Sequence, residues 1–264
     1  MKTYMQDYSE KYSQIYDIIT KHKDYCLEVS KIEKLLTSLG VHKLDSITAL
    51  SVGCGTGTHE TLLVERNIGL KLDAVDIAPG MIRIAKHKIA SRGLEGLNFD
   101  CVNIKDLSNN ISYDIHFSLF NVVNCLSNTS QLQDFFAQVA RRLVIDGYFI
   151  FEAWNASQCI KNPPIVVERE YSDEAAGYKL RRVAIPHIKS KKLCINYLVD
   201  GIFDRKPFHL ESVHNINLFS HSSIKHALER AGLVIVREMS ALPDLMEIDF
   251  NDARMSAYVA RRCS

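Results

Sequence analysis

Three glycines at alternate positions, Gly53, Gly55 and Gly57, follow directly on the apolar run Ala49-Leu50-Ser51-Val52. An apolar strand that ends in such a turn and continues as a helix forces a sharp reversal of the backbone. Glycine has no Cβ and tolerates positive φ, so a polar ligand can come very close to a turn of this kind. The helix that follows offers free N–H groups to negative or polar ligand atoms. A second apolar run, Leu70 to Val75, ends at Asp76. A carboxylate at that strand tip can accept from both hydroxyls of a ribose. Together these features predict an α/β domain that holds a nucleoside-like cofactor at its strand ends.

The glycine spacing narrows the cofactor. A dinucleotide fingerprint, G-x-G-x-x-G/A, would need Gly or Ala at position 58, where Thr58 stands. The tighter G-x-G-x-G turn suits a ligand without a pyrophosphate, whose amino-acid end and ribose lie against the loop. S-adenosylmethionine fits that description. The plainer alternative, a glycine-rich turn with no ligand, is weakened by Asp76 at the second strand end.

Around this core, strands and helices alternate. Residues 4–39 predict two helices, the second carrying Ile32, Leu35, Leu36 and Leu39 and stopped by Gly40. Strand 47–52 leads to helix 57–66, and strand 70–75 to a helix with Pro79 in its first turn. Strands 97–102 and 113–119 follow. Helix 130–144 is expected to open on a capping box of Ser130 and Gln133, and Asp146-Gly147 to turn into strand 148–153. The alternation then breaks: 165–170, 178–187, 192–204 and 208–219 read as consecutive strands, with Asp200-Gly201 and Pro207 taken as turn signals. It resumes with helix 221–231, strand 233–239 and a last strand 254–261. The expected fold is α/β, a doubly wound seven-stranded sheet with an inserted antiparallel β lid and an N-terminal helical flap.

Composition excludes several function classes. The 264 residues carry a formal net charge of +1, so no broad attraction to nucleic acid or anionic membrane is expected. The basic cluster Lys189-Ser190-Lys191-Lys192 is better suited to a hairpin tip than to phosphate. The seven cysteines are scattered without a C-x-x-C pair, which points to free thiols in a reducing compartment. The N-terminal residues lack an apolar leader segment, and no apolar run approaches a membrane span. The expected location is cytoplasmic and the expected partner a small-molecule acceptor, with no nucleic acid, membrane or metal. A face of the lid sheet could pair two chains into a homodimer.

The residues resemble the class I S-adenosylmethionine-dependent methyltransferases. The resemblance is carried by the Gly53–Gly57 loop, Asp76-Ile77-Ala78-Pro79-Gly80-Met81, Phe99 to Leu107, and Tyr113-Asp114-Ile115-His116-Phe117-Ser118-Leu119-Phe120, in that order and spacing. It implies a Rossmann-like domain of residues 47–160 and 220–264, a flap of 1–46 and a substrate-binding lid of 161–219. A narrower resemblance is to N,N-dimethyltransferases of nucleotide-linked amino sugars. It lies in Ile15-Tyr16-Asp17, Lys23-Asp24-Tyr25, Phe151-Glu152-Ala153-Trp154 and Glu211-Ser212-Val213-His214.

The resemblance implies roles for named residues. Gly53, Cys54, Gly55 and Gly57 would line the methionine and ribose portions of the cofactor, and Asp76 would hold the ribose hydroxyls. Ile77 and Met81 would flank the adenine, Asn103 and Ile104 would meet its edge, and Leu119 and Phe120 would pass near the sulfonium. Tyr16 would close over the methionine end, with Asn121, Trp154 and His214 facing the acceptor. The chain departs from the family pattern at Ser51, where an acid is usual, at Asn103, where Asp is usual, and at Cys125, where amino-sugar enzymes can carry a histidine.

Methyl transfer from a sulfonium is an in-line displacement that depends on positioning and water exclusion. Candidate bases are Glu152, His214 and Tyr16, each with a plainer reading as a loop carboxylate, a packed sheet histidine and a flap aromatic. Asn162-Pro163-Pro164-Ile165 imitates a DNA amino-methyltransferase signature but lies after the wrong strand and lacks its aromatic. The pairs Asp244/Glu247 and Asp249/Asp252 read as a solvated loop. The expected activity is N-methylation of a small-molecule amine. O-methylation of a hydroxylated metabolite and a non-catalytic cofactor-binding regulator are the alternatives.

Overall fold

The computed structural model describes residues 8–90, 92–108, 110–241 and 249–263. The seven-stranded sheet is built from β1 (Thr48–Val52), β2 (Lys71–Asp76), β3 (Leu97–Cys101), β4 (Tyr113–Ser118), β5 (Leu143–Trp154), β10 (Leu233–Ser240) and β11 (Met255–Arg262). The order across the sheet is β10-β11-β5-β4-β1-β2-β3. Strands β1 to β5 run parallel, and β11 lies antiparallel between β5 and β10. The chain order reverses between β1 and β4, the place in such sheets where ligands bind outside the carboxyl ends of the strands.

The connecting helices cover both faces, as buried parallel strands require. On one face α2 (Tyr25–Ser38), α3 (Thr58–Arg66) and α4 (Pro79–Ala90) bury Ile32, Leu63 and Ile82 against Ala49, Leu72 and Phe117. On the other, α5 (Thr129–Arg142) and α7 (His221–Arg230) bury Phe136, Val139 and Leu228 against Leu50, Phe149 and Phe151. Among the described residues no helix is long and apolar enough to cross a membrane.

The inserted sheet is an antiparallel meander of β6 (Val167–Asp173), β7 (Tyr178–Lys189), β8 (Lys192–Phe203) and β9 (Lys206–Asn217). Along β9 the buried Phe208, Leu210, Ser212 and His214 alternate with exposed neighbours, so one face of the lid looks inward. That face meets α1 (Glu10–Ile19), whose Tyr12, Ile15 and Ile19 share a core with Met81, Leu180, Val199 and Leu210. The flap helix is thus wedged between the lid and α4.

Several local expectations change. The cap of α5 is Asn128, which accepts from Gln131 N–H at 3.0 Å, while Gln131 Oε1 accepts from Ser127 N–H. The cap lies two residues before Ser130, because Asn is as good a cap as Ser, and Gln131 reaches back to the residue before the cap, so the expected reciprocal box is not formed. Strand β5 begins at Leu143, and Asp146 with φ +66 sits in an irregular stretch of its pairing with β4. Asp200-Gly201 makes no turn. Gly201 (φ +142) lies within β8, where a Cβ would stand 2.1 Å from the Lys179 carbonyl oxygen. Close strand approach, not reversal, requires that glycine. The turn falls at Asp204-Arg205, both with positive φ. A short helix, α6 (Ala156–Lys161), was not expected. Residues 4–7 of the first expected helix, and the pair Asp244/Glu247, lie outside the described residues.

Candidate active site

The glycine loop leaves β1 and enters α3 through a Gly57 N-cap in the left-handed region. Its three glycines differ in what they require. A Cβ on Gly53 would lie 2.5 Å from Val122 Cγ2, and one on Gly57 would lie 2.2 Å from the Phe99 ring. Those two are demanded by the protein's own packing. At Gly55 (φ +56) a Cβ would meet only Tyr16 Cε1 at 4.0 Å, an ordinary van der Waals contact, so packing does not demand this glycine as it does the other two.

Asp76 closes one side of the loop. Its Oδ2 accepts from Gly55 N–H at 2.9 Å and its Oδ1 from Ala78 N–H at 2.9 Å. A carboxylate has about four acceptor sites, so capacity is left for a further donor. Burial pushes the Asp76 carboxyl up, against the lowering effect of the Ala78, Gly55 and Ile77 backbone N–H groups. Ile77 is 54 % exposed beside it. Met81 is buried beneath α1 with Tyr12 and Ile15. Asn103 Oδ1 accepts from Lys105 N–H and caps the turn Ile104–Asp106, with Ile104 in the core.

Tyr16 on α1 forms the roof. Burial pushes its phenol well above the ordinary value, and the neighbouring Tyr25, Tyr12, Asp17 and Asp76 push the same way. The flap is tied down next to it: Thr56 Oγ1 donates to Asp17 Oδ1 at 2.5 Å, and Lys88 Nζ pairs with Asp17 Oδ2 at 3.0 Å. Lys23 pairs with Glu28 at 3.2 Å and places its ammonium 3.8 Å from the centre of the Phe120 ring. His59 pairs with the other Glu28 oxygen at 2.7 Å.

The tip of β4 is the opposite wall. Leu119 is buried, and Phe120 (φ +59) and Asn121 (φ +63) both adopt the left-handed region. That conformation is unusual for a bulky side chain and persists only when surroundings impose it. Glu152 imposes it here. It is buried at the end of β5, and its Oε2 accepts from Phe120 N–H at 2.6 Å. Asn121 Nδ2 contacts Met255 S at 3.2 Å, while its buried Oδ1 has no hydrogen-bond partner. Cys125 Sγ lies 4.0 Å from Asn121 O within the same turn. The fully buried Asn124 accepts from Trp154 N–H and donates to Asn217 O, which joins β4, β5 and the lid.

His214 projects from the lid into an aromatic nest. Tyr8 and Tyr12 stand 4.9 Å away and Tyr197 4.8 Å, measured between ring centres. Its Nε2 is 3.0 Å from Ser212 Oγ. Burial, helped by the nearby Arg182 charge, lowers its pKa to about 4. At neutral pH the ring is uncharged and 6 % exposed.

Sequence reasoning missed Asn124, Lys23, Asp17 and Glu60. Glu60 is buried on the first turn of α3, and its Oε1 accepts from Ser51 Oγ at 2.6 Å. Its Oε2 has no hydrogen-bond partner among the described residues. The only available signal was a carboxylate in the first turn of a helix that follows a glycine loop, which is also ordinary helix chemistry.

The residues present fit S-adenosylmethionine: a cradle at Gly55 whose glycine packing does not demand, a strand-tip carboxylate with spare acceptor sites, and a buried carboxylate oxygen without a hydrogen-bond partner among the described residues. Comparison with known proteins agrees. Residues 49–147 match the methyltransferase domain family. Malonyl-[acyl-carrier protein] O-methyltransferase of Acetivibrio thermocellus is 36 % identical over 94 residues, 34 % of this chain and 32 % of that protein. The chain therefore spans about a third of the length of that curated relative. Among solved structures, an S-adenosylmethionine-dependent methyltransferase from Clostridium acetobutylicum superposes with a TM-score of 0.78 at 18 % identity, over 96 % of this chain and 98 % of that one. The sugar N-methyltransferase KedS8 from a Streptoalloteichus species gives 0.77 at 18 % identity, over 96 % and 93 %. Residues 49–147 thus match a methyltransferase domain, in a chain whose fold is similar over nearly its whole length to that of an S-adenosylmethionine-dependent methyltransferase.

Proposed function

We propose that the protein is an enzyme that methylates a small-molecule amine from S-adenosylmethionine, with a nucleotide-linked amino sugar as the acceptor class. The observation that carries this reading is the state of the three candidate bases. Glu152 is engaged by Phe120 N–H, His214 is buried with a pKa of about 4, and burial holds the Tyr16 phenol in its protonated form. A neutral amine is nucleophilic without a strong base, whereas a sugar hydroxyl needs one in the cleft.

When bound, S-adenosylmethionine supplies an activated methyl group on sulfur. The chain's own residues do the rest by positioning. Asp76 accepts from the ribose hydroxyls, and the loop from Gly53 through Cys54 to Gly57 lies along the ribose and methionine portions. Ile77 packs on the adenine face, and Met81 supports that wall from below. Asn103 and Ile104 set the turn at the adenine edge. Tyr16 closes the roof and donates its hydroxyl. Leu119 and Phe120 are held by Glu152 at the wall facing the reacting atoms. Asn121, Trp154 and the lid, residues 161–219, shape the acceptor pocket, with His214 steadying the flap tyrosines.

The similarity in fold to a sugar N-methyltransferase supports an amino-sugar acceptor. The test is a mass-shift screen of purified protein with S-adenosylmethionine against amino sugars, their nucleotide-linked forms, and matched hydroxyl analogues. Gain of one or two methyl groups on the amines alone is expected. Methylation of the hydroxyl analogues would overturn the amine assignment. Retention of cofactor with no product across the screen would favour a regulatory role.

A further inference from the structure

We propose that Glu60, oriented by Ser51, is the counter-charge for the α-ammonium of S-adenosylmethionine. This inference rests on the cofactor lying along the Gly53–Gly57 loop.

Glu60 is 3 % exposed, and a carboxylate that deep is costly unless it is paired. One of its oxygens is satisfied by Ser51 Oγ, and the other has no hydrogen-bond partner among the described residues. Basic side chains of α3 and of the elements packed near it have other partners. Lys23 and His59 pair with Glu28, Lys88 with Asp17, and Arg66 with Glu33. The positive end of α3 compensates Glu60 in part, as it would any acid in a first helical turn. Its second oxygen is therefore an acceptor for which the described residues supply no donor.

The place of Glu60 identifies that donor. Glu60 lies in the first turn of the helix that the glycine loop enters and is bonded to Ser51 on the strand the loop leaves, while Asp76 accepts from Gly55 N–H within the loop, so both carboxylates border it. Asp76 stands at the end suited to a ribose. The adjacent His59 packs its ring against Tyr25 at 4.9 Å between centres, and Lys23 lies over the same Tyr25 ring, so the first turn of α3 that carries Glu60 meets the flap. A ligand with a ribose at one end of this loop and an amino acid at the other presents its ammonium to the second carboxylate. An ammonium has three donors and gives charge-assisted bonds to a carboxylate, whereas the other cationic centre, the sulfonium, has no proton to donate.

The test compares wild type with Glu60→Gln, a near-isosteric change that keeps an acceptor for Ser51 and removes the charge. Binding is measured by calorimetry with S-adenosylmethionine, S-adenosylhomocysteine and 5′-methylthioadenosine, which lacks the amino-acid end. Thermal melts of the ligand-free proteins are recorded alongside. The expected result is a loss on the order of 10- to 100-fold for the first two ligands and no change for the third. Ligand-free Glu60→Gln should melt at or above wild type, because an unpaired buried charge has been removed. The double variant Ser51→Asp with Glu60→Gln should recover part of the lost affinity by returning the charge to the loop.

Equal affinity of wild type and Glu60→Gln for all three ligands would overturn the proposal, as would a lowered melting point with unchanged binding. A loss confined to S-adenosylmethionine would place the charge at the sulfonium and also overturn it. Failure of wild type to bind any of the three would overturn the cofactor site itself, an outcome distinct from failure of Glu60 alone.

Discussion

Glu152 at the end of β5 accepts the backbone N–H of Phe120 at 2.6 Å, and this bond holds the tip of β4 in a left-handed turn. A residue 32 positions away thus decides the shape of the wall facing the proposed reacting atoms. Glu152→Ala leaves that N–H without its acceptor. A loss of about 1–3 kcal/mol in urea unfolding is expected. Turnover should fall further than cofactor affinity. Equal stability of the variant and wild type would show that the turn holds without the carboxylate.

The glycines of the loop should respond differently to alanine. Gly57→Ala adds a Cβ against the Phe99 ring at positive φ, with an expected cost of about 2–5 kcal/mol. Gly55→Ala makes only an ordinary contact with Tyr16 and carries the backbone cost of about 1–2 kcal/mol. Its added methyl enters the cradle, so cofactor binding should weaken sharply in a protein that still folds. Denaturation curves and calorimetry on the two variants separate the packing role from the binding role.

Two buried histidines make stability depend on pH. His214 titrates at about 4 and His116 at about 3 in the fold, against 6.5 for an unperturbed side chain. The unfolded chain takes up a proton below pH 6.5 while the folded chain does not. Their contribution is therefore complete above pH 6.5 and is lost as pH falls from there towards the folded values. For His214 the loss amounts to as much as ~3 kcal/mol. Melting temperature should drop between pH 6.5 and 4, and His214→Gln should flatten part of that slope. An unchanged slope would mean that His214 is charged in the fold.

Asn124 is fully buried and serves Trp154 N–H and Asn217 O at once. Asn124→Leu should cost about 2–4 kcal/mol, because both partners lose their bonds in a dry setting. Hydrogen exchange should rise at the end of β9 and at Trp154 more than at β1. Uniform exchange changes would show that Asn124 does not couple the lid to the sheet.

The α/β class, the glycine loop, Asp76 and the break in alternation that marks the lid were all readable in the chain. Each is a local pattern: glycine spacing, an apolar run ending in a carboxylate, or consecutive strand periods without a helix. Local pattern also misled where two causes leave the same mark. Gly201 follows an aspartate as a turn glycine would, yet β7 passing close by is what requires it. What tertiary structure decided is which polar groups meet. Glu60 reaches Ser51, Asp17 reaches Thr56 and Lys88, Glu152 reaches Phe120, and His214 sits among Tyr8, Tyr12 and Tyr197. Most of these partners lie on separate elements, far apart in the chain, so no periodicity records them. Burial makes each pairing energetically important, and burial exists only once the sheet, flap and lid have closed on one another.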